Sequence, residues 1–242
     1  MDLSIVIPCF NEEDGLVQLH SKLIPVVKKL NAKYSVEVIF VDDGSTDGTN
    51  ALLHKYFGKL NNCTIIKHGK NKNLGAALKT GIANSRGNLV AFLDSDCTYD
   101  PNIIFDLLGA LDNETDIVTA SPYHPKGHVV NAPFYRIFLS KSVTLLYQFV
   151  LFSRMNTFTA IARVYRRKVL NDVKIKSNTF IGVTELLVFS LLKGFKVKEI
   201  PATLRGRKFG TSKVKVIGVI FEHIKLLFNI ILIRLFGASF YG

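Results

Sequence analysis

The sequence predicts an α/β fold, with a mostly parallel sheet flanked by helices and a C-terminal amphipathic, membrane-associated helical segment. Two observations carry this. Short runs rich in Ile, Val, Leu and Phe alternate with amphipathic stretches through the first half, the rhythm of βαβ units. The whole positive excess of the chain falls in its last third, which is also strongly apolar.

The first run, residues 3–8, closes at Pro8, too soon for a secretory signal, so none is expected there. Further runs at 36–41, 64–67, 89–93 and 116–119 are nearly continuous in apolar residues, as buried parallel strands are. Helical spacing between them predicts helices over 12–30, 46–58, 74–85 and 101–111. Pro25 removes a donor inside the first of these and predicts a kink or break. Asp100 and Pro101 suit a helix cap and first position.

After about residue 120 the alternation loosens into a helix 134–152, a strand-like 158–165, a helix 183–193 and a short strand 197–200. A basic turn, 205–213, leads to an apolar helix 214–236. There Glu222, Lys225 and Asn229 recur as a narrow polar stripe. Charges at a bilayer centre are costly, so an interfacial helix is expected rather than a spanning one, with a soluble core helix as the alternative.

The 242 residues suffice for one good-sized core. The expected division is a catalytic unit over 1–210, donor side mainly 1–120 and acceptor side 121–210, then the interfacial segment 211–242. Cys9, Cys63 and Cys97 are widely spaced with no CxxC pair, which argues against a disulfide framework or zinc site and for a reducing compartment. Residues 1–162 balance 15 Lys+Arg against 15 Asp+Glu, whereas 163–242 hold 16 against 4. A basic, apolar end points to an anionic membrane surface or phosphate. No aromatic–basic interleaving supports nucleic acid, and no nucleic-acid partner is expected.

The chemistry-bearing residues lie after the strand runs, where open α/β sheets bind ligands. The first run delivers Pro8, Asn11 and Glu12, and the second ends in Asp42-Asp43-Gly44-Ser45-Thr46-Asp47-Gly48-Thr49. Aspartates there can accept hydrogen bonds from a base or ribose, and glycines let a ligand approach the backbone. A helix-capping loop would need Ser45 or Thr46 with Asp47, but not the Asp42–Asp43 pair. The fourth run ends in Asp94-Ser95-Asp96, two carboxylates suited to a hard divalent cation, Mg²⁺ or Mn²⁺. Residues 71–81 open a helix with a small-residue face that includes Lys72 and Gly75.

In order and spacing, these segments resemble the inverting family 2 glycosyltransferases of the GT-A, Rossmann-like fold over residues 3–120. The resemblance implies that Pro8, Asn11, Glu12, Asp42, Asp43, Lys72, Gly75, Asp94 and Ser95 bind a nucleotide-sugar donor (GDP- or UDP-sugar). It also implies that Asp96, with Asp94, holds the metal. Residues 116–123, 163–167, 184–187, 199–201 and 205–213 are similar to segments of polyprenyl-phosphate sugar synthases such as dolichol-phosphate mannosyltransferase. Pro122 and Thr98 depart from that pattern, standing where those enzymes have an arginine and often a glutamine.

The acceptor side offers Arg136, Ser140, Arg163, Arg205, Arg207 and Lys213 for phosphate, with a solvated basic face as the plain alternative. An ionised lipid phosphate needs no general base, while a sugar hydroxyl does; Glu185 is the nominee, a structural carboxylate the competing reading. The expected function is therefore sugar transfer to a polyprenyl phosphate at the cytosolic face of a membrane, by a peripheral enzyme with room for an integral-membrane partner. Transfer to a glycan or glycolipid hydroxyl, and a non-catalytic nucleotide-binding module, stand as alternatives.

Overall fold

The computed structural model describes residues 1–209 and 216–237. The element order is β1 (Leu3–Cys9), a 3₁₀ turn (Glu13–Gly15), α1 (Leu16–Leu30), β2 (Val36–Asp42), α2 (Thr49–Phe57), β3 (Cys63–Lys67) and α3 (Leu74–Ala83). Then come β4 (Leu89–Phe92), α4 (Ile103–Gly109), β5 (Ile117–Ser121), β6 (His128–Val130), α5 (Phe134–Leu151), β7 (Arg163–Arg166) and α6 (Arg167–Asp172). The chain continues through α7 (Ile181–Leu192), β8 (Val197–Pro201), β9 (Thr203–Arg205) and α8 (Val216–Phe236).

Among the described residues one seven-stranded sheet runs in the order β3-β2-β1-β4-β7-β5-β8, with β6 and β9 paired separately. β7 is antiparallel to β4 and β5; the other pairs in the large sheet are parallel. The chain winds outward from β1 through β2 to β3, then returns to place β4 on the other side of β1. This reversal opens a crevice at the carboxyl ends of β1 and β4, the place where such sheets bind ligands.

Strand alternation builds two cores. Leu3, Ile5 and Ile7 join Leu16, Leu19 and Phe57 on one face of the sheet. Val6, Ile39 and Val41 meet Ala77, Leu186 and Leu187 on the other. Gly81 makes this second contact close, since a Cβ there would lie 2.2 Å from Val6 Cγ1.

Several boundaries differ from expectation for local reasons. α1 runs unbroken through Pro25, which lies on its exposed face, where water can take the carbonyl that proline leaves unbonded. α4 starts at Ile103 because Asp100 Oδ1 accepts the Asn102 N–H, closing a turn before the helix. The strand expected over 158–165 is confined to Arg163–Arg166. β6, β9 and α6, each of six residues or fewer, were not anticipated.

α8 packs against α5 and α7, burying His223, Leu226, Leu227 and Ile230. It also leaves Ile217, Phe221, Phe228 and Leu235 exposed, so its apolar character is not confined to one stripe. Glu222 turns to the core side, accepting the Thr179 hydroxyl proton at 2.7 Å. Among the described residues no helix is long and apolar enough to cross a membrane.

Candidate active site

The β1 and β2 ends are laced together by their own polar groups. Asn11, at φ 52°, donates its N–H to Ser45 Oγ (2.9 Å) and takes the Thr46 N–H on Oδ1 (2.8 Å). Glu12 donates its N–H to Thr49 Oγ1 at 2.7 Å, and Glu13 accepts the Gly48 N–H at 2.6 Å. Asp47 Oδ1 takes the Thr49 N–H, so it is Asp47 that supplies the capping contact before α2. Gly44, at φ +73°, is required: a Cβ there would lie 2.3 Å from the Lys70 carbonyl carbon.

Asp42 and Asp43 separate in role. Asp42 is fully buried, accepts the Ser45 N–H at 2.9 Å, and leaves Oδ2 buried without a hydrogen bond. Asp43 Oδ1 takes the Lys72 backbone N–H (3.0 Å) and meets His68 Nδ1 at 2.6 Å. Lys72 thus reaches this site through its main chain. Gly75 opens α3 against the 177–179 loop: its N–H bonds Thr179 O, and a Cβ would lie 2.4 Å from Ser177 O. Pro8 stands in β1 opposite Val41.

Across the crevice, Asp94, Ser95 and Asp96 follow β4. Asp94 Oδ2 is buried without a hydrogen-bond partner. Burial first, then the Asp96 charge, push the Asp94 carboxyl well above the usual carboxylate range. Thr98 donates its N–H to Asp96 Oδ1 at 3.0 Å.

Arg207 closes the cluster from the far end of the sequence. Its guanidinium lies 2.8 Å from Asp96 Oδ2 and 3.0 Å from Glu12 Oε1. Burial would lower its pKa, yet Asp96 and Glu12 hold it above its ordinary value. An arginine between two carboxylates, above a third with an orphaned oxygen, marks a place built for positive charge. Asp94 and Asp96 therefore fit a divalent cation as two of its ligands. Among the described residues no group of three or more His, Cys, Asp or Glu is arranged to hold a metal, so other ligands would be substrate or water. Beside Asp96 lies a cavity of about 240 Å³ lined by Lys22, Arg205 and Lys208 as well as Gln18 and Asp100.

Four nominated residues stand elsewhere. Arg163 is fully buried, a correction to its reading as a phosphate ligand: it donates to Phe158 O (2.6 Å), Val183 O (2.8 Å) and Thr119 Oγ1 (3.0 Å). Glu185 is buried in α7 and accepts the Lys176 and Ser177 N–H groups at 3.0 and 2.8 Å, which suits holding a loop rather than acting as a base. Arg136 and Ser140 lie on α5, Arg136 exposed beside Tyr135 and Ser140 bonded to Thr159. Lys213 falls outside the described residues. His68, Lys22 and Lys208 were missed; His68 and Lys22 are single residues with no motif around them, so only the fold brings them to the site, whereas Lys208 lies within the 205–213 segment and could have been named with Arg205 and Arg207.

The sequence profile of Glycosyl transferase family 2 matches residues 4–174. The chain belongs to this family. It is 30% identical over 236 residues to the dolichol-phosphate mannosyltransferase of Pyrococcus furiosus, covering 95% of this chain and 64% of that one. It thus spans less than two thirds of that relative's length. With the polyprenol monophosphomannose synthase of Mycolicibacterium smegmatis it shares 31% identity, over 87% of this chain and 80% of the relative. The fold matches Mycobacterium tuberculosis glucosyl-3-phosphoglycerate synthase, solved with Mn²⁺, UDP and glucosyl-3-phosphoglycerate, at TM-score 0.70 and 18% identity, covering 96% of this chain and 79% of that one. The family profile takes in the β1, β2 and β4 ends and Lys22 but stops before Arg205, Arg207 and Lys208, which lie outside it.

Proposed function

We propose that the protein transfers a sugar from a nucleotide-sugar donor to a polyprenyl phosphate at a membrane surface, with inversion. The observation that carries this reading is the meeting of Glu12, Asp94 and Asp96 with Arg207 beside a cavity lined by Lys22, Arg205 and Lys208. The two curated relatives bear names of polyprenyl-phosphate mannose synthases, which supports the same acceptor class.

In this reading Asn11, Glu12 and Asp43 face the nucleoside, and Asp94, Ser95 and Asp96 the diphosphate. A bound Mg²⁺ or Mn²⁺, held by Asp96 and Asp94, would supply positive charge to the diphosphate. An acceptor phosphate oxygen attacks the anomeric carbon; that C–O bond forms as the bond to the diphosphate oxygen breaks, and a nucleoside diphosphate leaves. No proton has to be removed, because a phosphate monoester is largely ionised at neutral pH, its second pKa being about 6. Arg205, Arg207, Lys208 and Lys22 hold the negative charge of acceptor and leaving group.

Transfer to a hydroxyl would need a carboxylate base, and the four carboxylates after residue 162 are engaged elsewhere. Asp172 pairs with Lys193, Glu185 and Glu199 take backbone N–H groups, and Glu222 bonds Thr179. The membrane side of the reading rests on α5 and α8. They pack together and leave Phe134, Phe138, Phe149, Phe221 and Phe228 exposed, with Arg136, Lys141 and Lys225 among them. Such a patch suits the headgroup boundary of an anionic cytosolic leaflet. We take 1–210 as the catalytic unit and 211–242 as the membrane-associating segment, alone or against an integral-membrane protein.

The test is transfer from labelled UDP- and GDP-sugars to short-chain polyprenyl phosphate with Mn²⁺, beside Asp96→Ala. Label extracted with the lipid, and lost in the variant, supports the reading. Donor hydrolysis with no labelled lipid moves the acceptor to a hydroxyl or water.

A further inference from the structure

Asp43, the carboxylate assigned to the nucleoside, does not stand alone. It lies one residue past β2, and His68 lies one residue past β3. The His68 N–H extends the pairing of these strands by bonding Asp42 O at 2.8 Å. Its side chain is buried, with Nδ1 2.6 Å from Asp43 Oδ1 and Nε2 2.9 Å from Thr80 Oγ1 in α3. The imidazole is therefore a strut joining three elements at the floor of the donor site.

Chemistry fixes the direction of the contacts. A carboxylate only accepts, so Nδ1 carries the proton toward Asp43. In the neutral ring Nε2 is then an acceptor, and the Thr80 hydroxyl is its donor. With the Lys72 N–H on the same oxygen, Asp43 Oδ1 is saturated by protein. Among the described residues Asp43 Oδ2 makes no hydrogen bond, which leaves that oxygen for the ligand.

We propose that His68 is a positioning residue for donor recognition: with its Nδ1–H on Asp43 and its Nε2 held by the Thr80 hydroxyl, it fixes the Asp43 carboxylate so that its other oxygen faces the nucleoside. This rests on the donor-site reading above, and goes beyond it by assigning a part to a buried histidine that carries no motif.

The test has two arms. In ¹⁵N-labelled protein, with the His68 signals identified by their absence in His68→Asn, the ring is expected as the Nδ1–H tautomer; the Nε2–H tautomer overturns the proposal. Calorimetric binding of UDP and GDP is then compared across variants. Asn places an amide near the Nδ1 position and is expected to bind nucleotide within about threefold of wild type, whereas His68→Gln and His68→Leu weaken binding about tenfold, the worth of one charge-assisted hydrogen bond. In an Asp43→Asn background the His68→Leu loss is expected to vanish. If wild type binds nucleotide and His68→Gln and His68→Leu bind equally well, the positioning role falls alone. If wild type binds neither nucleotide, the donor-site reading falls with it. Thr80→Val, which keeps the shape of the site, covers the case in which the His68 variants do not fold: Asp43 still takes the Nδ1–H, so that tautomer is expected to persist, while loss of the contact to Nε2 weakens nucleotide binding about fivefold; wild-type binding overturns the role given to Thr80.

Discussion

Replacing Arg207 with Met should destabilise the metal-free protein and make its stability strongly metal-dependent. The guanidinium bridges Glu12 and Asp96, whose side chains are only 8% and 12% exposed, while its own is 22% exposed. Breaking a buried ion pair costs about 3–5 kcal/mol because it strands the remaining charge. The partial exposure of Arg207 places the loss at the lower end, about 3 kcal/mol. For a chain of this size about 2–4 °C of melting temperature accompanies each kcal/mol, so a fall of about 6–12 °C is expected in EDTA. A divalent cation binding the same carboxylates at 100 times its Kd would return about 2.7 kcal/mol, nearly the whole deficit. The chain has no tryptophan, so the melt is best followed by circular dichroism with EDTA and then with Mn²⁺. A variant that melts within about 2 °C of wild type in EDTA, or that gains no more from Mn²⁺ than wild type does, would refute the reasoning.

Burial lowers the His223 pKa from 6.5 to about 4, so folding disfavours its proton. The stability this represents is fully present above pH 6.5 and is lost as pH falls toward 4, up to about 3 kcal/mol. Urea unfolding at pH 7.5 and 4.5 should show that loss, and His223→Phe should lack this share of it. Arg163→Met removes three buried hydrogen bonds from a charged donor at about 1–3 kcal/mol each, so a large drop in melting temperature or loss of soluble protein is expected, although Phe158 O keeps the Thr184 hydroxyl as a second donor. Unchanged stability with weaker phosphate binding would restore Arg163 to the acceptor site. Joint Phe149→Glu and Phe228→Glu substitution should lower sedimentation with anionic vesicles by about tenfold or more, with nucleotide binding unchanged; equal sedimentation would remove α5 and α8 from the membrane contact.

The donor half was legible because its signals are local. Ile, Val and Phe runs mark β1, β2 and β4, and each is followed at once by its polar cluster, so the sequence alone puts Asn11, Asp43 and Asp96 at strand ends. The side proposed for the acceptor was legible only in part: Arg205 and Arg207 stood out as cations, but their contacts are long-range and did not. Arg207 meets Glu12 across 195 residues of sequence. Charge also says nothing of burial: Arg163 has the composition of a phosphate ligand, but its acceptors come from residues 119, 158 and 183, which only the packing of β5, β7 and α7 brings together. Glu185 misled in the same way, since its partners are main-chain N–H groups that no sequence pattern reports. In α8 the apolar content was plain, but it was divided between a face packed on α5 and α7 and a face left outside.

The central claim is that the acceptor is a lipid phosphate, and ³¹P NMR of polyprenyl phosphate after turnover with donor and Mn²⁺ tests it most directly. Conversion of the monoester resonance to a phosphodiester, with an inverted anomeric configuration in the attached sugar, is the result the account predicts. A monoester resonance that stays unchanged while the donor is consumed and the sugar appears on a hydroxyl would contradict it.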